Sequence, residues 1–289
     1  MNHHNRPIPP NRGQNHVQLP PPEMLASGIM NGDETPPAEV HEAFEIHGKP
    51  GLASVLVICE HASNRVPSPL QSTDTDRPAL LSHWGWDVGV REVGRQVIED
   101  LSASGVMARF TRLVCDANRD PLQGTFIRSH IEHRPLSFNQ DLSDVEVDRR
   151  IETYHHAYHQ AVHDMVADRK ALGGRFLLLS IHSFTPVWGH GVRELDFGVL
   201  FSLYDDLAAQ LAEQLRMGGF LVGLNQPYSA ADGLAYSVER HGQAHRVPFL
   251  ELEINQALLG STMQARAIGR ELSQALSRLI IPSVDPAAP

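Results

Sequence analysis

The sequence predicts an α/β fold in which a central sheet is covered by helices. From Val55 onward, short apolar runs alternate with amphipathic segments, a pattern typical of strands and helices that follow each other in turn. The run 55–59 is apolar throughout, as expected for a strand buried on both faces. The chain has 289 residues, of which 42% are apolar and 20% charged, enough for one large core. We therefore expect a single α/β domain over residues 43–289.

The N-terminal segment, residues 1–42, has a different composition. Nine of the 20 prolines fall in the first 50 residues, among scattered Asn and Gly and without sustained periodicity. This predicts a disordered, proline-rich arm. The arm lacks the basic start, apolar middle and small-residue cleavage site of a secretory signal. We interpret His3 and His4 as part of this arm and not as a metal site.

The first half of the domain contains three predicted strands and one helix. The strand at 55–59 is followed by an amphipathic helix over 89–104 and by strands at 105–110 and 113–115. The helix places its apolar side chains on one face, and Gly105 ends it. The residues of that face are Val90, Val93, Val97, Ile98 and Leu101.

In the second half, predicted helices and strands alternate. A long helix over 144–172 has apolar and aromatic residues at helical spacing, and Gly173 and Gly174 end it. The later strands are short apolar runs, and the later helices are amphipathic. The predicted strands are residues 175–181, 197–202, 220–224 and 248–254, and the predicted helices are residues 205–215 and 262–279.

Charge and composition exclude several classes of protein. With 24 Lys and Arg against 34 Asp and Glu, the net charge of −10 excludes a nucleic-acid binder driven by bulk charge. No apolar run approaches the roughly 18 residues of a membrane span. Cys59 and Cys115 lie in apolar, strand-like contexts typical of buried thiols, which points to a reducing compartment. We expect a soluble, cytoplasmic protein that binds neither nucleic acid nor membrane.

Polar residues at strand ends suggest a metal site. His61 and His182 each follow an apolar run, and Asp87 precedes the helix at 89–104. Two imidazoles and a carboxylate can hold Zn²⁺ with a fourth position open to water, and Glu253 is our candidate for the base that deprotonates this water. The alternative is that each histidine is a hydrogen-bonded strand-end residue and that Asp87 caps a helix. Glu251 alternates onto the same face as Glu253 and is the alternative base.

Arg112, Asn118 and Arg119 lie near another strand end of this acidic chain. Arginine binds carboxylates in a fixed bidentate geometry, so these residues can recognise an anionic substrate. Alternatively, Arg119 forms a structural ion pair with Asp116 or Asp120.

Two further polar segments contain histidines. His155, His159 and His163 recur every four residues on the long helix, and we interpret them as a solvated helix face, with His159 partly buried. The polar stretch 225–233, followed by 239–242 with His241, is too long for a simple connection and is predicted to be a substrate loop or lid. The motifs G-x-S-x-G, G-x-G-x-x-G and G-x-x-x-x-G-K-[ST] are absent, so serine-hydrolase, dinucleotide and P-loop chemistry have no support.

Five ordered motifs resemble those of the N-formylglutamate amidohydrolase family, and the resemblance extends from about residue 53 to 280. The motifs are His-Ala-Ser-Asn-Arg-Val-Pro at 61–67, Trp-Asp at 86–87, Arg112 with Asp-Ala-Asn-Arg at 116–119, His-Ser-Phe at 182–184 and Glu-Ile-Asn-Gln at 253–256. The family is similar to the zinc carboxypeptidase and aspartoacylase group. The resemblance implies a mixed, mostly parallel sheet between helices, in a phosphorylase/hydrolase-like arrangement.

The resemblance also implies roles for individual residues. In the wider group, a histidine and a glutamate three residues later supply two metal ligands, whereas here Asn64 stands at that spacing from His61. Asp87 is therefore taken as the third ligand, with Glu60 and Asn64 as alternatives. The resemblance favours Glu253 over Glu251 as the base, because its motif continues with Ile-Asn-Gln.

For the substrate, the resemblance implies that Asn118 and Arg119, together with Arg112, bind a carboxylate, and His241 is a further candidate for substrate binding. The implied activity is hydrolysis of N-formyl-L-glutamate to formate and L-glutamate with one zinc ion per chain. Two alternatives stay open: a deacylase for another N-acyl amino acid, such as a desuccinylase, and a non-catalytic relative that binds an anionic metabolite.

Overall fold

An eight-stranded sheet forms the centre of the computed structural model, which describes residues 36–49, 51–230 and 233–282. The strands are β1 Glu39–Val40, β2 Phe44–His47, β3 Val55–Cys59, β4 Ser104–Ala108, β5 His130–Ile131, β6 Arg134–Pro135, β7 Leu177–Phe184, β8 Val187–Trp188, β9 Gly191–Val192, β10 Phe197–Leu200, β11 Val222–Leu224 and β12 Phe249–Asn255. The α-helices are α1 Arg77–Leu80, α2 Val90–Asp100, α3 Asp144–Arg150, α4 Ala157–Ala171, α5 Asp205–Met217, α6 Tyr236–His245 and α7 Thr262–Leu276.

The strand order in the main sheet is β1-β2-β4-β3-β7-β12-β10-β11. The central strands β4, β3, β7 and β12 run parallel to one another, and β10 runs parallel to β11. The pairs β2–β4 and β10–β12 are antiparallel. The predicted mixed, mostly parallel sheet is therefore confirmed. The carboxyl ends of β3, β7 and β12 lie side by side at one edge of the sheet, the usual location of ligand sites in such folds.

Two apolar layers cover the two faces of the sheet. Along β3, Leu56 and Ile58 contribute to one layer, and the alternate residues Val55, Val57 and Cys59 to the other. The first layer includes side chains of α4 and α6, and the second includes side chains of α2, α5 and α7. Helices on both faces explain why the central strands are apolar without alternation.

The local sequence explains where two of these helices begin. Ser143 caps α3 and accepts a hydrogen bond from the backbone N–H of Glu146. Ser261 caps α7 and accepts one from the N–H of Gln264. Both pairs fit the Ser-x-x-Glu/Gln capping box.

One predicted strand is wrong. Residues 113–115 form turns, because their carbonyl groups bond to side chains and not to a neighbouring strand. The buried Arg150 guanidinium donates to the Val114 carbonyl over 3.1 Å, and Asn139 Nδ2 donates to the Leu113 carbonyl over 2.7 Å. These bonds shape the segment that leads into Asp116.

The long predicted helix and the predicted lid also differ from expectation. A π-helical turn, Ile151–His156, separates α3 from α4 within the helical stretch. Residues 239–242 belong to α6 and not to a loop. α6 packs closely on β12, since a Cβ atom added at Gly242 would lie only 2.1 Å from Phe249 Cδ1.

The predicted arm is described only in its last residues. Most of it, residues 1–35 with His3 and His4, lies outside the described residues. Its C-terminal part contains β1, which pairs with β2 and so joins the edge of the sheet. The buried Cys59 and Cys115 are both free thiols, as predicted. Among the described residues, no helix has the length and hydropathy required to cross a bilayer.

Candidate active site

Three buried side chains meet at the carboxyl edge of the central strands. His61 follows β3, His182 lies near the end of β7, and Asp87 lies in the loop before α2. β3 and β7 are parallel neighbours, which brings the two histidines together. The Asp87 N–H donates to the His61 carbonyl over 2.9 Å, which holds the third residue beside them. We call His61, Asp87 and His182 the ligand triad.

The triad has the dimensions of a metal site. His61 Nδ1 and His182 Nδ1 are 3.1 Å apart, and Asp87 Oδ2 lies 2.8 Å from the latter and 3.5 Å from the former. A triangle with these sides has its centre about 1.8 Å from each corner, so one point can lie at the roughly 2.0–2.1 Å of zinc–ligand bonds from all three atoms. The donor set of two imidazoles and one carboxylate therefore fits a divalent zinc-like ion.

The far nitrogen of each triad histidine faces a buried carboxylate. His61 Nε2 donates to Asp116 Oδ1 over 2.7 Å, and His182 Nε2 lies 3.2 Å from Glu60 Oε2. Carboxylates in this position fix the tautomer and orientation of metal-binding histidines and raise their basicity. Both Nδ1 atoms are thereby presented to the same point.

Asp116 is held ionised by its neighbours. Arg112 donates to Asp116 Oδ2 through Nε and Nη2, over 3.2 and 2.9 Å, and Arg119 Nε donates to the same oxygen over 3.2 Å. Burial opposes ionisation, but Arg112 and His61 outweigh it and hold the pKa of Asp116 well below its usual value. The ion pair of Arg119 with Asp116, one of the two predicted alternatives, is therefore present. It holds the carboxylate that accepts from His61 Nε2.

Two carboxylic acids of β12 face the triad. Glu251 and Glu253 are both buried, and burial raises the pKa of Glu251 to about 7 and that of Glu253 well above its usual value. Glu251 Oε2 accepts a hydrogen bond from Asn118 Nδ2 over 3.3 Å, whereas Glu253 Oε2 has no partner among the described residues. Glu253 is therefore the carboxyl group with an unused oxygen.

The structure places the alternative ligands outside the triad. Glu60 Oε2 lies 2.7 Å from Ser180 Oγ and 3.2 Å from His182 Nε2, on the opposite side of that ring from Asp87. Asn64 does not line the cavity beside the triad. The three donor atoms that converge are those of His61, Asp87 and His182.

A cavity of about 320 Å³ opens onto the triad. Its wall includes Arg112, Arg119 and Arg128, so that three guanidinium groups lie around the triad in an acidic protein. Asn118 also lines it, but its amide is engaged: Nδ2 donates to the Leu234 carbonyl over 2.6 Å and Oδ1 accepts from the Ser237 N–H over 2.8 Å.

Aromatic side chains form the other wall of the cavity. The rings of Trp84 and Trp188 have centroids 6.1 Å apart, and His83 lies 5.9 Å from Trp188. Trp188, in the β8–β9 hairpin, is 52% exposed. Arg193 stacks on Trp188 and on Tyr228, with its guanidinium carbon 5.3 and 5.0 Å from the two ring centroids.

Sequence reasoning missed several of these wall residues. Trp84 stands beside the recognised Trp-Asp pair, and Tyr228 lies within the predicted substrate loop, so both carried a local signal. No sequence motif pointed to Trp188 or Arg128, because only folding brings their segments to the cavity.

The structure places His241 away from this cavity. It is buried on α6, with Nε2 2.9 Å from His159 Nδ1. The expectation of a solvated histidine face on the long helix is wrong for His155, which is buried, and His159 is fully and not just partly buried, whereas His163 is exposed. The π-helical turn contains His155 and directly precedes α4, and both buried rings face the segment 117–119.

Comparisons with known proteins agree with this architecture. A model of the N-formylglutamate amidohydrolase family matches residues 53–259. The crystal structure of a gene product from Agrobacterium tumefaciens is 28% identical, with a TM-score of 0.75 over 82% of this chain and 94% of that chain. The N-formylglutamate amidohydrolase of Ralstonia eutropha is 20% identical, with a TM-score of 0.64 over 82% of this chain and 97% of that one, and shares its fold. The comparison with curated proteins found no match.

Proposed function

The chain belongs to the N-formylglutamate amidohydrolase family, and from this premise we propose that it is a zinc-dependent enzyme that hydrolyses N-formyl-L-glutamate to formate and L-glutamate. The observation that carries the proposal is the convergence of His61 Nδ1, His182 Nδ1 and Asp87 Oδ2. In addition, a buried carboxylate lies next to the Nε2 atom of each imidazole. These three residues would hold a divalent ion beside the cavity, with the two carboxylates orienting the imidazoles.

In this proposal the triad holds the ion. A zinc ion bound there supplies Lewis acidity toward the formyl carbonyl and lowers the pKa of water to about 7. A cation held by the triad would offset the burial that raises the pKa of Glu253. In its carboxylate form Glu253 would accept the proton of the attacking water, since its Oε2 is unpaired within the described residues and lies at the cavity wall. It then returns this proton to the leaving amine nitrogen, so that formate and the free amino acid leave.

Substrate binding is assigned to the cationic wall. Arg119 and Arg112 are each anchored to Asp116 by hydrogen bonds, which fixes the direction of their planar groups. Their side chains are 18% and 24% exposed toward the cavity, so both can still meet a substrate carboxylate. Arg128 adds a third cation that suits the second carboxylate of glutamate. Asn118 acts in this proposal by ordering the segment between these groups.

A substrate assay tests the proposal. Formate release is measured with N-formyl-L-glutamate and N-formyl-L-phenylalanine, and amine release with N-succinyl-L-glutamate, before and after chelation and after zinc is restored. The proposal expects the highest kcat/KM with N-formyl-L-glutamate, loss of turnover on chelation and recovery with zinc. Turnover that is indifferent to the chelator contradicts it. A protein that binds these compounds but turns none over is the non-catalytic relative.

The aromatic wall favours a second candidate substrate class. Trp84, Trp188 and His83 offer stacking surfaces for which N-formylglutamate has no matching group. An N-acyl amino acid with an aromatic or bulky apolar group uses both this wall and the arginines. In that case Trp188→Ala lowers kcat/KM for N-formyl-L-phenylalanine about tenfold, whereas Val187→Ala, at the neighbouring exposed position, leaves it unchanged. An equal kcat/KM for N-formyl-L-phenylalanine in the two variants excludes this candidate substrate class.

A further inference from the structure

A second group of histidines lies between α4 and α6, on the side of the domain where these helices pack together. Three come from the helical stretch 151–171 and two from α6, and the substrate chemistry proposed above uses none of them. We call them the histidine cluster: His155, His159, His163, His241 and His245.

We propose that His163, His241 and His245 form a second metal site, selective for a divalent transition ion. One ring nitrogen of each lies within 4.8 Å of one nitrogen of the other two. His241 and His245 are one helical turn apart on α6, the spacing at which two imidazoles reach a common ion, and His163 faces them from α4. His163 Nδ1 and His245 Nε2 are 2.9 Å apart.

The hydrogen bonds behind His241 leave one of its nitrogens free to bind a metal. The Ala117 carbonyl accepts from His159 Nε2 over 3.0 Å, so the proton of the neutral His159 ring is on Nε2 and its Nδ1 is an acceptor. His241 Nε2, 2.9 Å from that Nδ1, is therefore the donor, and Nδ1 of His241 carries the lone pair. An imidazole that donates its other N–H to a fixed acceptor is the arrangement typical of metal-binding histidines.

The surroundings keep the rings neutral, as ligation requires. Burial lowers the pKa of His241 to about 3, and burial also lowers the pKa of His245. His163 is exposed and gives an ion access from solvent together with room for a water ligand. The chain of bonds behind His241 ends on the backbone between Asp116 and Asn118, so the site is anchored to an ordered part of the domain.

The ligand set determines the class of ion. Three imidazoles suit Zn²⁺, Co²⁺, Ni²⁺ or Cu²⁺, whereas Ca²⁺ and Mg²⁺ require oxygen ligands. Two cations lie close by: Lys170 Nζ donates to the His245 carbonyl over 2.5 Å, and Arg240 lies near His241. Their charge repels every divalent cation, so only an ion with strong affinity for nitrogen ligands is expected to bind.

Metal titration of the full-length protein tests the proposal. Apo wild type, His163→Ala and His163→Ala/His245→Ala are titrated with Co²⁺ and with Zn²⁺, and bound metal per chain and affinity are measured. We expect His163→Ala to weaken one site at least tenfold and the double variant to bind one equivalent less than wild type. His163 is exposed, so its truncation leaves the core intact. His156→Ala, at a half-exposed histidine outside the three-residue site, serves as the matched control and keeps wild-type binding.

The outcomes separate this site from the triad. The variants of His163, His245 and His156 retain the triad and the N-terminal histidines. Their difference in bound metal from wild type therefore reports the three-histidine site alone. His182→Ala, which removes a triad ligand, is expected to lose a different equivalent and to keep the one that depends on His163. If the double variant and wild type bind equal metal with equal affinity, the proposal is overturned, whatever the result for His182→Ala.

Discussion

Two groups of mostly buried histidines in one domain differ in the groups that their ring nitrogens contact. In the ligand triad, the far nitrogens of His61 and His182 face the carboxylates of Asp116 and Glu60. In the histidine cluster, His241 bonds to His159, and the other nitrogen of His159 donates to the Ala117 carbonyl. Burial disfavours the charged ring in both regions.

The pKa shifts of the two regions have opposite signs. Burial opposes protonation of His182, but Glu251, Asp87 and Glu60 outweigh it and raise its pKa well above the usual value. At His159 and His241 burial is the largest influence and lowers both pKa values, and neither the Ala117 carbonyl at His159 nor Glu60 at His241 outweighs it. Burial alone therefore does not set the charge of a histidine, since the carboxylates around the ring decide the sign of the pKa shift. Without an ion the carboxylates therefore favour the charged ring of His182, and a divalent ion bound at the triad would take the place of that proton.

Removal of a triad ring should have the largest effect. His182→Ala loses one of three ligands, so we expect loss of the active-site metal and of turnover by at least about 10³-fold. Hydrolysis kinetics and metal analysis of purified protein measure both losses. His156→Ala, on the exposed helix surface, should retain wild-type values. Full turnover without His182 contradicts the assignment of the site.

Replacement of the candidate base should separate catalysis from metal binding. Glu253→Gln keeps the size of the side chain and removes its ability to accept a proton, so we expect about 10²–10⁴-fold lower kcat with unchanged metal content. Glu251→Gln is the matched control on the same face of β12, and its effect should be smaller because Glu251 is already bonded to Asn118. Loss of metal in Glu253→Gln, or a larger rate loss in Glu251→Gln, means that the two roles are assigned wrongly.

The carboxylate behind His61 should account for part of the metal affinity. Asp116→Asn keeps a hydrogen-bond acceptor for His61 Nε2 but removes the charge, so zinc should bind about 10–100-fold more weakly. Competition with a chromogenic chelator measures the affinity. Asp120→Asn, four residues along the same loop, provides the control. Equal affinity in the two variants shows that the carboxylate charge does not distinguish the two histidine regions.

The neutral histidines should make the apo protein sensitive to acid. The pKa of His241 is about 3 in the folded protein and near 6.5 in the unfolded chain, so its contribution to stability is complete above pH 6.5 and is lost as the pH falls toward 3. In wild type this ring alone costs about 2 kcal/mol between pH 7 and pH 5, whereas His241→Gln lacks this loss. Urea unfolding with chelator present at both pH values measures the difference. An identical pH dependence in the variant shows that His241 does not titrate as proposed.

The main sheet and the triad were accessible from sequence because their signals are local. Apolar runs at 55–59 and 248–254 predicted buried strands, and polar residues at strand ends predicted a site at the ends of these strands. His61 and His182 meet because β3 and β7 are parallel neighbours, whereas the sequence predicted only that each histidine follows an apolar strand.

Other features depend on contacts between distant segments. The buried ring of His155 was expected at the surface and that of His159 only partly buried, since a periodicity argument counts histidine as polar and does not see the carbonyls of Arg119 and Ala117 that bind them. α6 was expected as a loop because its sequence is polar, although Gly242 lets it pack on β12. The segment 113–115 is apolar like a strand, but side-chain donors take its carbonyl groups.

The most direct test of the central claim is a crystal structure of the zinc-loaded protein with anomalous scattering measured at the zinc edge. The account predicts a strong peak about 2 Å from His61 Nδ1, His182 Nδ1 and an oxygen of Asp87. A zinc-loaded crystal without a peak at that point, or with zinc bound between His182 Nε2 and Glu60 in its place, contradicts the account.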